Sequence, residues 1–249
     1  QWQQALSKII VEGGSKAQKR TFYTALYHAL LNPNLHMDSD GRYRGRDLHI
    51  HQAKDFTDYT VFSLWDTFRA LHPLFTIIEP ERTKDFIKTF LAQYRQGGLL
   101  PVWELAANET NCMIGYHAVS VISDAYGKGI RGFDIAEAYK AMTHSTRQNQ
   151  WAASPAHEGS GNPVPGRIDK KASITGKLSH VTRKNIGYIP AEEEAESVSK
   201  TLEYAYDDWC IAQLAKALDK KEDYRYYLQR AQSYKNLFDP NSGFMRARM

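Results

Sequence analysis

Apolar positions recur at three- and four-residue spacing along most of the chain, the pattern of helices that turn one face to a core. From Lys16 to Leu31 the stripe is Phe22, Ala25, Leu26, Ala29 and Leu30, with Ser15 placed as N-cap and Asn32-Pro33 as the stop. Tyr23, Tyr27 and His28 on the same segment are read as core packing rather than as a cleft wall. Tyr59 to Ile78 carries Phe62, Trp65, Phe68, Leu71, Phe75 and Ile78, and Pro73 predicts a kink or a break into two short helices. A helix opened by Pro80 runs to about Tyr94 through Phe86, Ile87, Phe90 and Leu91, closed by Gly97-Gly98. Further helices are expected from about Asn111 to Tyr126, from Phe133 to about Thr146 and from Ser197 to Leu218, the last with Val198, Leu202, Ala205, Trp209 and Ala212 inward. One more, from about Glu222 to Leu237, precedes an Asp239-Pro-Asn-Ser-Gly turn.

Two stretches break the period. Arg42-Tyr-Arg-Gly-Arg and Asp47-Leu-His-Ile-His alternate as strands do, around turn signals that include Asp38-Ser-Asp-Gly, and predict a small hairpin. From about 147 to 190 the apolar period gives way to Ser-Pro, Gly-Asn-Pro and Pro-Gly, an insertion loop long enough to shape the mouth of a cleft. About seven helices with mostly short connections and no βαβ alternation predict an all-α array with one small β-hairpin. The helices are either stacked in pairs as a solenoid or closed into a toroid, and the lack of a fixed repeat argues against a consensus solenoid.

Composition narrows the class. The chain has 249 residues, 42% hydrophobic, enough for a sizeable core, and a net charge of +4 with both signs interleaved. That distribution gives no footprint for nucleic acid or for an anionic membrane surface, and no apolar run is long enough to span a bilayer. Cys112 and Cys210 are too few and too far apart for a disulfide scaffold or a zinc site. Residues 1 to 20 lack a signal-peptide pattern, which says little because the chain opens on Gln1 and reads as an interior piece.

The candidate chemistry gathers in the stretch from Leu100 to His117, where Trp103, Glu104, Asn108, Glu109, Tyr116 and His117 crowd into a loop that feeds a helix. An indole can stack on the C–H face of a sugar while carboxylates and an amide meet its hydroxyls, so the mixture suits a hydroxyl-rich ligand. Trp65-Asp66 repeats the pairing; Asp66 is equally well explained as a charge favoured in a first helical turn. His49 and His51 share a strand face but lack a third ligand, and read as ordinary surface or packing residues. Glu203, Asp207 and Asp208 sit on following turns and could reach a cleft or a metal, but Asp207 and Asp208 are expected on a solvated or salt-bridged helix face; the Asn108-Glu-Thr glycosylation sequon is a weak match.

Several longer runs carry a resemblance. Phe22-Tyr-Thr-Ala-Leu-Tyr-His, Asp40-Gly-Arg-Tyr-Arg-Gly, Tyr59-Thr-Val-Phe-Ser-Leu-Trp-Asp-Thr-Phe-Arg, Leu100-Pro-Val-Trp-Glu-Leu-Ala-Ala-Asn-Glu-Thr and Glu203-Tyr-Ala-Tyr-Asp-Asp-Trp resemble the catalytic domain of glycoside hydrolase family 92, calcium-dependent exo-α-mannosidases. The similarity covers nearly the whole chain and is weakest in the insertion. It implies that residues 1–249 are part of an (α/α)6 toroid, accompanied by a β-sandwich domain and the remainder of the catalytic domain. It also implies release of terminal mannose from N-glycans or mannans, of α-1,2 type, by an inverting mechanism in which two carboxyls stand roughly 6.5–9.5 Å apart around a water. Calcium would bind the mannose hydroxyls through oxygen ligands. The family's Tyr-x-Glu-Gly-Asn, Asn-Glu-Pro and Gly-Asn-Asp-Asp runs, which hold the acid, the metal and sugar ligands and the base, do not occur in this sequence.

The resemblance therefore assigns no catalytic group to this chain, and assigns to the −1 subsite Trp65, Asp66, Trp103, Glu104, Asn108 and Glu109, with Asp66 foremost as hydroxyl acceptor. Without it, Asp66 and Glu104 or Glu109 would be the candidate acid and base. Secretion or a periplasmic home is implied by the family's extracellular substrates. The rival readings are another (α/α)6 glycosidase and a non-catalytic carbohydrate-binding helical domain.

Overall fold

The computed structural model describes residues 1–110, 112–147 and 187–249. The predicted insertion, apart from its ends, lies outside the described residues. Among them are nine α-helices: α1 (Trp2–Leu6), α2 (Lys16–Ala29), α3 (Leu64–Thr67), α4 (Leu71–Ile78), α5 (Pro80–Gly97), α6 (Ala118–Gly127), α7 (Ile135–Arg147), α8 (Ser197–Ala217) and α9 (Lys221–Arg230). A 3-10 turn over Ser233–Leu237 takes the place of the last turns predicted for the final helix.

Local chemistry explains most ends. Ser15 accepts from the Gln18 N–H at 3.3 Å while the Gln18 side chain accepts from the Ser15 N–H at 2.8 Å, a reciprocal cap on α2. Gly98 ends α5 at φ 79°, a left-handed conformation that costs glycine little, and its N–H reaches the Tyr94 carbonyl at 2.7 Å. The segment is broken into two short helices, α3 and α4, as Pro73 predicts, and Pro73 itself occupies the first turn of α4, where a backbone N–H has no intrahelical acceptor to lose.

The prediction of a single hairpin is too simple. β2 (Arg42–Arg44) and β3 (Ile50–Gln52) form the expected one, with Tyr43 opposite His51. Beside it, β1 (Asn34–Leu35) pairs with β4 (Tyr59–Thr60), β5 (Phe62–Ser63), β6 (Trp103–Leu105) and β7 (Asn108–Glu109) make a three-stranded sheet, and β8 (Phe238–Asp239) pairs with β9 (Phe244–Met245). Strands of two or three residues are too short to show a period of two. For the same reason the expected helix from Tyr59 begins only at Leu64, behind β4 and β5; the helix expected from about Asn111 begins at Ala118.

α6 lies against α4, α5, α7 and α8, and α8 against α6, α7 and α9. The core beneath them is aromatic around Phe86, whose ring meets Tyr59 at 4.8 Å and Phe62 at 5.5 Å edge-on and lies 6.0 Å from Phe75. His72 is buried in the same cluster, and its desolvated imidazole drops to about 4, so it is neutral there.

Two expectations about side chains fail. Tyr27 and His28 are exposed rather than packed in the core. Trp209, expected inward, is 46% exposed, while the core side of α8 carries Tyr204, Asp207, Asp208, Ile211, Leu214 and Ala215. Asp207 and Asp208 are salt-bridged, one of the two outcomes expected, with each cationic partner in the interior rather than at the surface. Phe86→Ala is expected to cost about 3–5 kcal/mol in urea denaturation, and the exposed Phe244→Ala less than about 0.5 kcal/mol.

Candidate functional site

Ser63 joins the two candidate pairs. Its backbone is in register with Trp103 across β5 and β6, and its hydroxyl donates to Asp66 one turn on. The Leu-Trp-Asp run and the Trp103 loop, 38 positions apart between Trp65 and Trp103, therefore meet at one sheet edge. Asp66 is exposed and Trp65 and Trp103 are half-buried, so all three present surface to a ligand.

The turn between β6 and β7 consists of Ala106 and Ala107, both at positive φ (50° and 66°). Two-residue hairpin turns of this kind favour Asn-Gly, and two alanines persist there only if neighbours hold them. They do. Ala107 N–H donates to Glu104 Oε1 at 2.6 Å, Ala106 N–H donates to the Thr60 hydroxyl at 2.6 Å, and an Arg44 N–H reaches the Ala106 carbonyl at 3.1 Å. Thr60 in turn donates to Glu104 at 2.9 Å. Val61, between β4 and β5, is a third non-glycine residue at positive φ (67°), so local strain concentrates around this sheet.

Glu104 and Glu109, both expected to touch sugar, are committed to this scaffold. Glu104 is 0% exposed, and burial, only partly offset by the Ala107 and Thr60 hydrogen bonds, pushes its carboxyl up to about 7. Glu109 accepts from the N–H groups of Val102 (2.8 Å) and Trp103 (2.9 Å), which fixes the backbone that carries the Trp103 indole. Asn108, at the strand end after the turn, is exposed. Tyr116 and His117 are drawn into the interior, where Tyr116 donates to Asp208 at 2.8 Å and His117 Nδ1 pairs with Asp207 at 2.8 Å.

Sequence reasoning named Glu203 only as an acid able to reach a cleft or a metal, left it out of the candidate site, and passed over Arg69. Trp65 Nε1–H donates to Glu203 Oε1 at 3.2 Å, Arg69 donates to the same oxygen at 2.7 Å, and His117 Nε2 stands 3.3 Å from Glu203 Oε2. The signal was faint: an acid on a helix 138 positions from its indole partner. A cavity of about 700 Å³ opens beside this cluster between α4, α6 and α8, lined by Phe68, Arg69, His72, Glu203, Tyr206 and Trp209 among others.

Among the described residues no group of three or more His, Cys, Asp or Glu side chains is placed to hold a metal ion. Asp47 engages His51 at 2.9 Å and stands 3.5 Å from His49, a local ion cluster at the hairpin. No described helix is long and apolar enough to cross a membrane.

Residues 1–249 match the family model described as the glycosyl hydrolase family 92 catalytic domain. The chain is 45% identical to an α-mannosidase of that family from Bacteroides thetaiotaomicron, with a TM-score of 0.83 over 99% of this chain and 30% of the other. A complex of that mannosidase with mannoimidazole gives a TM-score of 0.84 over 99% and 29% of the two chains, again at 45% identity. An inverting mannosidase of the family from the same bacterium is 36% identical, TM-score 0.82, over 99% of this chain and 31% of the other. An uncharacterized secreted glycosidase of the fungus Arthroderma benhamiae is 25% identical over 95% of this chain and 25% of its own length. The chain thus spans under a third of each relative.

Because the Glu104 carboxyl is raised above its unfolded value, the folded state keeps a proton that the unfolded chain has already released. Its contribution is full below about pH 4.5 and is lost as pH rises through about 7. Glu104→Gln should therefore gain on the unmodified protein across that window, by on the order of 1–3 kcal/mol in denaturation midpoints compared at pH 4.5 and pH 8.

Proposed function

The chain belongs to glycoside hydrolase family 92, and on that footing we propose that the protein carrying it is an exo-acting α-mannosidase. It removes terminal α-1,2-linked mannose from N-glycans or mannans by inversion, and these 249 residues supply part of an (α/α)6 catalytic domain. The observation that carries the reading is the meeting of the Trp65-Asp66 pair and Trp103 at one strained sheet edge, in a chain 45% identical to an α-mannosidase.

Within that reading the division of labour follows from exposure. The Trp65 and Trp103 indoles offer apolar faces to the C–H side of a pyranose, and the exposed Asp66 and Asn108 accept and donate to its hydroxyls. Glu104 and Glu109 act from below, holding the hairpin so that the indole and amide keep their places. The acid that protonates the leaving oxygen and the base that activates water come from the rest of the catalytic domain, as do the oxygen ligands of the calcium ion. Bound there, calcium would engage the mannose hydroxyls. A secreted or periplasmic location suits such a substrate and finds support in the secreted fungal relative.

Time-resolved proton NMR of the full-length protein acting on α-1,2-mannobiose tests this: β-mannose is expected to form first. Initial α-mannose, or no mannose, refutes the mechanism or the activity respectively. Asp66→Ala in the full-length enzyme is expected to lower kcat/KM by about 100-fold or more with only a small change in Tm. Residues 1–249 alone are expected to release no mannose from the same disaccharide.

A further inference from the structure

The site reading leaves one buried apparatus without a role. From successive turns of α8, Glu203 and Asp207 flank the imidazole of His117, which stacks on Phe68 at 3.9 Å with an interplanar angle of 12°. Asp207 Oδ2 also accepts from the Tyr116 N–H at 2.8 Å. His117 can reach this position because Gly115 precedes it, at φ 85°: a Cβ there would fall onto the imidazole ring. The outer oxygen of Glu203 then receives both the Trp65 indole N–H and an Arg69 N–H. Arg69 doubles back, its guanidinium carbon 5.1 Å from the Trp65 ring centroid and 4.7 Å from that of Phe68.

Trp65 is thereby held in two directions. Its N–H edge is tied to α8, and one face is capped by a cation that is itself tied to the same carboxylate. Only the opposite face remains to meet a sugar. We infer that Glu203 is a positioning residue that sets the rotation of the Trp65 indole for sugar stacking, with His117 and Asp207 behind it as a rigid support. The inference rests on the mannosidase reading for its consequence in catalysis, though not for its geometry.

The charge states fit the arrangement. Burial by itself would lower the His117 imidazole, but Asp207 and Glu203 outweigh it and raise it to about 9. Burial would raise Glu203, yet the neighbouring His117 imidazolium and the Arg69 guanidinium bring it down to about 2. Glu203 is thus a permanent anion, an acceptor that cannot turn into a donor and release the indole. A merely structural clamp between α3 and α8 would need neither the stacked cation nor an indole in particular.

Two measurements on the full-length protein decide it. In the ¹⁵N-indole NMR spectrum, the Trp65 signal is identified by its loss in Trp65→Phe. Glu203→Ala is expected to shift that signal and speed its exchange with solvent, whereas Glu203→Gln, which keeps a side-chain oxygen for the indole, retains most of the wild-type behaviour. Kinetically, Glu203→Ala should raise KM for a terminal α-mannoside by about tenfold with kcat held within about threefold. Adding Trp65→Phe to Glu203→Ala should cost no more than about twofold beyond the worse single variant, as coupled residues do. An unchanged indole signal, an unchanged KM or fully additive losses would overturn the assignment. If the wild-type protein released no mannose, the proposed activity would fall while the indole signal still decided whether Glu203 positions Trp65.

Discussion

Helix α8 turns acids toward the core, and the rest of the chain is arranged around answering them. Asp208 meets Arg230 at 2.9 Å and the Tyr116 hydroxyl at 2.8 Å, and Asp207 meets His117 and the Tyr116 backbone. Each of these contacts ties α8 to another element: Arg230 closes α9, and Tyr116 and His117 lead into α6. Desolvating the charges consumes most of what their attraction returns, so the pairs add little net stability. Removing one partner, however, strands the other in the interior at a cost of about 3–5 kcal/mol. The network therefore penalises any other packing of α6, α8 and α9 far more than it rewards the native one.

The same logic explains the candidate wall. A turn made of two alanines at positive φ is held open by Glu104, Thr60 and Arg44, groups drawn from three separate stretches. Burial lifts Glu104 to about 7, which is the price the scaffold accepts for an acceptor beneath the turn. The residues left facing outward, Trp65, Asp66, Trp103 and Asn108, have an apolar and hydrogen-bonding character complementary to a sugar. Strain underneath and ligand-type chemistry on top is the distribution expected where a surface is pre-organised for binding.

The family 92 catalytic-domain model matches residues 1–249, and the Trp65 and Trp103 rings are half-buried. The chain spans about 30% of the solved mannosidases' length. Glu203 connects the two themes, since it belongs to the inward acidic helix and holds an indole of the wall.

The sequence by itself determined the helices whose apolar stripes run for three turns or more, such as α5 and α7, the cap at Ser15, and the family through runs such as Leu-Trp-Asp. Those features are local: spacing, caps and residue order are written in consecutive positions. It misjudged Trp209, which faces out, and it left Asp207 and Asp208 as either solvated or salt-bridged without placing their ion pairs in the interior, because an apolar stripe assumes that charge stays outside. It placed Glu104 and Glu109 on the sugar side through residue type and the family resemblance, and which backbone N–H groups a carboxylate meets depends on which strand lies beside it. Only tertiary structure decided these points, because the partners of a buried acid are chosen by packing: His117 lies 90 positions from Asp207, and Trp65 lies 138 from Glu203.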